Sequence, residues 1–347
     1  MDIRAALTYT RLRQIGAGQG MNSEVYLAND PQLGGEIVVK EIEKATFSFV
    51  AEFFQEAQVM FAGNHDNVVR IHYACETADK ICLAMPHFAM GSLADRLALG
   101  PLRPREVIRV GDGILRGLAK IHINKFLHLD MKPSNVLFSD SNVPMVADFG
   151  QSRAIGPHGV CVPGAMYFNA MPPELLPNSR AATVEADIYQ AGLTLYRMVN
   201  GDEYYETQRP SAHSIMTAII TGRFPDRNAF LPHVPRAMRA VIRKTLSLNP
   251  ADRYHSATAL ADALGKIQIP MDWDVFLAPS GEIRWRAQPD GRTQVVVDLK
   301  ANASKWNVEI NTCSNAKMRA AKKALWATGL TRQKAMDHLK KVLVHLG

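Results

Sequence analysis

Four polar side chains at short spacing carry the most chemistry in this 347-residue sequence: Asp130, Lys132, Asn135 and Asp148. They lie in His128-Leu129-Asp130-Met131-Lys132-Pro133-Ser134-Asn135-Val136-Leu137 and in Asp148-Phe149-Gly150. Moving the γ-phosphoryl group of ATP asks little covalent chemistry of a protein. It asks that an acceptor hydroxyl be oriented, that Mg²⁺ be held and that phosphate charge be neutralised. In that chemistry Asp130 would take the hydroxyl proton and Lys132 would steady the γ-phosphate. Asn135 and Asp148 would supply the hard oxygen ligands that Mg²⁺ prefers.

Such a set needs a nucleotide-binding lobe before it, and the preceding sequence has the parts. Ile15-Gly16-Ala17-Gly18 leads into Val25-Tyr26-Leu27-Ala28, a glycine-rich turn between two short apolar strands. Glycines there let backbone N–H groups approach phosphates with no Cβ in the way. Ile37-Val38-Val39-Lys40 reads as a β-branched strand ending on a cation, and a helical stretch follows with Phe49, Phe53, Val59 and Met60 as inward candidates. Glu56 falls within that stretch. A charge so near an apolar stripe needs a partner, because an unpaired buried charge is costly. Lys40 is the natural one; Glu52, one turn earlier, competes for it.

Together these segments resemble the eukaryotic-like, bacterial-type Ser/Thr protein kinases. The resemblance covers about residues 9 to 265, with the landmarks in family order. It implies that Lys40 clamps the α/β-phosphates and that Glu56 orients it. It also implies an adenine pocket lined by Ile15, Val25, Val38, Met85 and Leu137, with the backbone of Pro86, His87 and Phe88 as the hinge. Flat heteroaromatic rings want apolar walls and a few backbone hydrogen bonds. Met171-Pro172-Pro173-Glu174 is similar to the close of the activation segment, Asp187 to the helix aspartate bracing the catalytic loop, and Arg253 to the arginine that pairs with Glu174. His128 fits as a brace of the catalytic loop.

Three departures from the family pattern qualify this reading. The glycine loop is two residues longer than the family pattern, with Gln19-Gly20-Met21-Asn22 looped out and Ser23 where the third glycine belongs. Leu129 precedes the aspartate where many regulated kinases carry arginine, and Ser152 and Tyr167 are the acceptor hydroxyls between Asp148 and Glu174. Catalysis is therefore expected not to require activation-loop phosphorylation. Ala165 replaces the threonine that positions substrate in Ser/Thr-specific members, which leaves that preference resting on Lys132. The alternatives are a catalytically weak nucleotide-binding scaffold, or a kinase fold acting on a small molecule. No lysine, base or metal ligand is missing, so the active protein kinase is the preferred reading.

Composition agrees with a globular protein: 47% hydrophobic and 21% charged residues. No stretch has the length of a signal peptide core or a membrane span, and Cys75, Cys82, Cys161 and Cys313 show no metal spacing, which suits a cytoplasmic location. The charge is uneven. Residues 270–347 carry 13 Lys/Arg against 7 Asp/Glu, a balance of +6, while the first 269 are nearly neutral. That asymmetry marks a separate unit with its own partner.

The expected fold class is α+β: a β-rich small lobe and a helical large lobe over 9–268, then a small antiparallel-sheet-plus-helices domain over 270–347. In this tail, short β-type runs begin at Trp273, Ile283, Thr293 and Trp306. Helices are expected over about Ser314 to Thr328 and, capped by Thr331, along the stripe Met336, Leu339, Leu343 and Leu346. Lys317, Arg319, Lys322 and Lys323 cluster along the first of these helices, and Arg284-Trp285-Arg286 interleaves a surface aromatic with cations, a face that nucleic-acid phosphates could engage. A docking face for a regulatory protein, or a regulatory element pressed on the small lobe near Glu56, are the competing readings.

Overall fold

The computed structural model describes residues 7–16, 23–47, 54–164, 170–176, 181–289, 291, 293–314 and 317–346. Its first part is a five-stranded antiparallel sheet in the order β1-β2-β3-β5-β4. The strands are β1 Thr10–Ile15, β2 Ser23–Asp30, β3 Gly35–Glu43, β4 Tyr73–Glu76 and β5 Lys80–Pro86, with α1 Gln55–Ala62 between β3 and β4. Alternation along β3 sets Lys40 beside Val25 of β2 and Leu83 of β5. A central strand flanked on both sides holds its cation at a fixed height over the lobe below.

The second part is mostly helical. α2 Leu93–Leu97 and α3 Pro104–Ile123 precede the short strands β6 Phe126–Leu127, β7 Val136–Phe138, β8 Pro144–Val146 and β9 Arg153–Ala154. α4 Val184–Asn200, α5 Asp202–Glu206, α6 Ile215–Ile220, α7 Arg236–Thr245 and α8 Ala257–Gly265 complete it. α3 buries Val107, Val110, Ile114, Leu118 and Ile121, a stripe at helical spacing, against a core shared with α4, α7 and α8. Pro104 opens this helix, where a missing N–H costs nothing. The hairpin β7–β8 comes close to α3: a Cβ on Gly117 would collide with the carbonyl oxygen of Asn67 and press on the Val146 side chain. That oxygen accepts from Val146 N–H at 2.8 Å, so the glycine sets the depth at which β8 sits.

Residues from Met271 onward form a separate apolar cluster around a six-stranded antiparallel sheet. β10 Asp274–Leu277, β11 Ile283–Ala287, β12 Gln294–Asn302, β13 Lys305–Ser314 and β14 Lys317–Ala320 run in chain order, β15 Ala327–Leu330 also pairs with β13, and α9 Arg332–Leu346 packs on one face. The α+β class and the two-lobed kinase arrangement hold. Among the described residues no helix is long and apolar enough to cross a membrane.

Three expectations for the tail are corrected. The helix expected over Ser314 to Thr328 is instead β14, a short 3₁₀ turn at Lys323–Leu325 and β15. Its Ala- and Lys-rich composition favours helix, but β13 offers open hydrogen-bonding edges. Met318 pairs with Cys313, Lys322 takes a positive φ of 46°, and the Trp326 indole donates to the carbonyls of Ile310 and Ala321. Pairing outweighs propensity. Second, Trp285 is no surface aromatic between cations. It is fully buried by strand alternation, with Arg284 facing outward onto Asp298. Third, among the described residues the tail's contacts are with the large lobe, where one of the competing readings puts them near the helix of Glu56. Arg103 pairs with Asp274 at 2.9 Å, Arg105 N–H donates to Asp272, and the Trp285 indole donates to His233 at 3.4 Å.

Candidate active site

Strand β3, helix α1 and the residues after β8 converge on one ammonium group. Lys40 Nζ lies 2.8 and 3.0 Å from the Glu56 carboxylate oxygens and 2.7 Å from Asp148 Oδ1. Glu56 is the partner chosen; Glu52 lies outside the described residues, as do Phe49 and Phe53. Burial works against the charge on Lys40, yet the two carboxylates hold its pKa above the usual lysine value. Asp148, beside that ammonium, is pulled down to about 2. It stays an open, ionised oxygen donor, its side chain 41% exposed.

The second cluster is built on the turn between β6 and β7. Lys132 Nζ lies 2.7 Å from Asp130 Oδ2, and Asn135 Nδ2 donates to that same oxygen at 2.9 Å and to the Asp130 carbonyl at 2.8 Å. With its amide nitrogen committed to Asp130, Asn135 turns its side-chain oxygen the other way, where it accepts from the Ser134 hydroxyl at 3.3 Å. Asn135 is also tied to the first cluster, because its backbone oxygen accepts from Ala147 N–H at 2.9 Å. Lys132 adds to the pull on the Asp148 carboxylate. The side chains from three distant stretches therefore act in one electrostatic neighbourhood.

Asp187, fully buried at the start of α4, holds this turn in place. Its carboxylate accepts from the backbone N–H of His128 at 2.8 Å and of Leu129 at 2.7 Å, and pairs with His122 Nε2 at 2.7 Å. Burial pushes its pKa up, but these partners leave it below the ordinary carboxylate value. Leu129 sits at a positive φ of 63°, a conformation that L residues seldom adopt and that Asp187 compensates. His128 is buried, with Nε2 3.1 Å from the Ala147 carbonyl and Nδ1 accepting from Asp130 N–H. The sequence reading missed Gln190. Its amide oxygen accepts from Met131 N–H, and its nitrogen donates to the carbonyls of Leu129 and Ala170. Its i+3 spacing from Asp187 on α4 was the available sign. Arg253 and Glu174 meet in a bidentate pair, both contacts 2.7 Å.

The apolar candidates are spread over β1, β2, β3, β5 and β7. Ile15 lies opposite Val25 at the ends of β1 and β2, and Val38 lies opposite Met85. Leu137 is half-buried on β7, and His87 follows β5 with Nδ1 3.8 Å from Glu36. Gly16 has a positive φ of 64°. Gly18, the residues Gln19 to Asn22, Ala165 and Tyr167 lie outside the described residues. Ser152 is buried, its hydroxyl 3.4 Å from the His128 carbonyl. A cavity of about 210 Å³ opens beside Lys132, lined in part by Met131, Pro133, Thr194, Arg197, Tyr205 and Glu206.

Comparison with known proteins bears on this arrangement. The family described as protein kinase domain matches residues 9–264. The chain is similar to the serine/threonine-protein kinase PrkC of Bacillus subtilis, 30% identical over 257 residues, covering 72% of this chain and 39% of that protein. It is also similar to PknJ of Mycobacterium tuberculosis, 28% identical over 278 residues, 77% of this chain and 46% of that one. Pkn2 of Myxococcus xanthus is 30% identical over 265 residues, 73% and 31%. The chain thus spans less than half the length of these relatives.

Proposed function

The chain belongs to the protein kinase domain family, on the side of the bacterial-type Ser/Thr kinases, and from that membership we propose that it is an active enzyme. In this reading it transfers the γ-phosphoryl group of ATP to Ser or Thr hydroxyls of protein substrates, in the cytoplasm. Residues 9–268 are the catalytic unit and 270–347 an accessory unit. One observation carries the proposal: Lys40 is clamped between Glu56 and Asp148, with Asp130, Lys132 and Asn135 linked beside them.

Asn135 and Asp148 fit a hard divalent cation, two oxygen donors that leave the remaining positions to phosphate and water. Mg²⁺ held there would offset charge on the phosphates. The protein groups divide the remaining work. Lys40, fixed by Glu56, meets phosphate oxygens. Asp130 accepts or orients the proton of the acceptor hydroxyl, and Lys132, already touching Asp130, keeps a cation beside the group in transfer. Ile15, Val25, Val38, Met85 and Leu137 pack the adenine, with the His87 backbone at its edge. Gly16 and Gly18 cover the phosphates. The cavity beside Lys132 leaves room for side chains flanking the acceptor, which favours a polypeptide over a small metabolite.

We further propose that activity is independent of activation-loop phosphorylation. Leu129 leaves no arginine in the catalytic loop to be neutralised, and Ser152 is buried and engaged. The exposed cations Arg319, Lys322 and Lys323 on the tail support an acidic partner there, nucleic acid or a regulatory protein.

The test is transfer of labelled phosphate from Mg·ATP to a general protein acceptor by phosphatase-treated enzyme. Wild type should be active. Asp130→Ala and Asp148→Ala should fall by about 10³-fold or more with unchanged circular dichroism. ATP binding without any transfer would favour the scaffold. Activity that returns only with phosphate on Ser152 or Tyr167 would end the phosphorylation-independent reading.

A further inference from the structure

Cys75 and Cys82 are left without a task by the proposed chemistry, and the small-lobe sheet sets them face to face. β4 and β5 are antiparallel neighbours, and in their register Cys75 is directly opposite Cys82. Residues so placed have Cα atoms about 4.5–5.5 Å apart, inside the roughly 4.4–6.8 Å that a disulfide bridges. Directly opposed residues project from the same face of the sheet, so the two thiols share one face. Cys82 is buried, whereas Cys75 is half-exposed toward solvent.

Other groups on this face favour a sulfur anion at the inner position. The Tyr9 hydroxyl donates to Cys82 Sγ at 3.4 Å and to Glu41 at 3.0 Å. Glu41 faces Cys82 across β3 and β5 and is itself held by Arg11 and Lys80. The Cys75 side chain first, then the Tyr9 hydroxyl and Lys80, lower the Cys82 thiol to about 6, against burial and the Glu41 charge, which push it up. Cys161, by contrast, is pushed up to about 11 by burial, and Cys313 stands alone on the tail.

We propose that Cys75 and Cys82 form a reversible intramolecular disulfide on exposure to peroxide, a modification site on the nucleotide-binding lobe. The chemistry balances. When Cys75 passes its proton to Cys82, the exposed Cys75 thiolate attacks a peroxide oxygen, so that an S–O bond forms and the O–O bond breaks. The departing hydroxide takes that proton back from Cys82, which leaves a Cys75 sulfenic acid, one water and the Cys82 thiolate. The Cys82 thiolate then attacks the Cys75 sulfur. An S–S bond forms, the S–O bond breaks, and the leaving hydroxide takes a proton from solvent as the second water. Two electrons pass from the thiols to the peroxide, and a dithiol reverses the bond by exchange. A reducing compartment is where such a site reports a change, because thiols there are otherwise kept reduced. The link would tie the edge strand β4 to β5, which runs into the hinge and is paired with the strand holding Lys40.

The test is stoichiometric hydrogen peroxide on the full chain, followed by intact mass and peptide mapping. The expected result is loss of two hydrogen atoms per chain and one linked peptide pair joining Cys75 to Cys82. Dithiothreitol should restore the starting mass. Cys75→Ser and Cys82→Ser should each abolish the link, while Cys161→Ser and Cys313→Ser should leave it unchanged. Overoxidation of Cys75 with Cys82 still free would overturn the proposal. So would a link formed mainly through Cys161 or Cys313.

Discussion

At the scale of single residues, the molecule handles buried charge by pairing it twice. Lys40 has Glu56 and Asp148, Asp187 has His122 and two backbone N–H groups, and Arg253 has both oxygens of Glu174 plus three carbonyls. Arg253 has a fully buried side chain, so taking away its carboxylate strands a guanidinium. Breaking a buried pair from one side costs about 3–5 kcal/mol. Glu174→Ala should therefore lower unfolding free energy by about 3 kcal/mol, the low end, since the carbonyls remain. Urea denaturation measures it; a loss under about 0.5 kcal/mol would show the pair to be dispensable.

At the scale of elements, spacing made the site legible and packing decided the rest. The polar groups around Asp130 and Asp148 were readable because their spacing along the chain is set by turns and strands that keep a rigid register. Lys40 and Glu56 were readable because a charge at the end of an apolar strand and another on an amphipathic helix must find partners. Gln190 was not seen, because a buried glutamine bonds to backbone atoms whose positions only the fold supplies. The stretch Ser314 to Thr328 failed for a related reason: its local composition favours helix, while the free edges of β13 lie in another part of the sequence. Trp285 was misplaced because its neighbours are cations, although strand alternation, already assumed there, puts 284 and 286 on the opposite face from 285.

The contact between β11 and the loop before α7 carries its own prediction. His233 is buried there, accepts from the Trp285 indole and lies near Arg239. Burial first, and then the Arg239 charge, push its pKa from 6.5 down to about 3. The folded state thus refuses a proton that the unfolded chain accepts below about pH 6.5. Stability from this group is complete above that pH and is lost as pH falls toward 3, with no effect on the alkaline side. The loss should reach about 2 kcal/mol by pH 5. Melts of wild type and His233→Gln between pH 7.5 and pH 5, with the slopes compared, measure it; parallel curves would mean that the imidazole takes up its proton without cost.

At the scale of the whole molecule, charge and function are kept apart. The small and large lobes are close to neutral, and the tail carries +6. Arg319, Lys322 and Lys323 are exposed at the edge strand β14 and the turn after it. If the partner is nucleic acid, the full chain should bind immobilised RNA at low ionic strength and release it steeply as salt rises, because counterions return to the phosphates. Replacing the three cations by alanine should remove most of that retention while leaving phosphoryl transfer intact. Failure to bind any RNA at low salt leaves the regulatory protein as the partner.

The seam joining the tail to the rest of the chain also governs how this protein should be handled. Severing it after Ile269 would do more than discard an appendage. It would bring water to the imidazole at 233, leave Arg103 and Arg105 without their acidic mates, and bare a face that the intact polypeptide never presents. A shortened fragment would then be a stickier, differently behaved species, and measurements on it would describe that species instead of the parent chain.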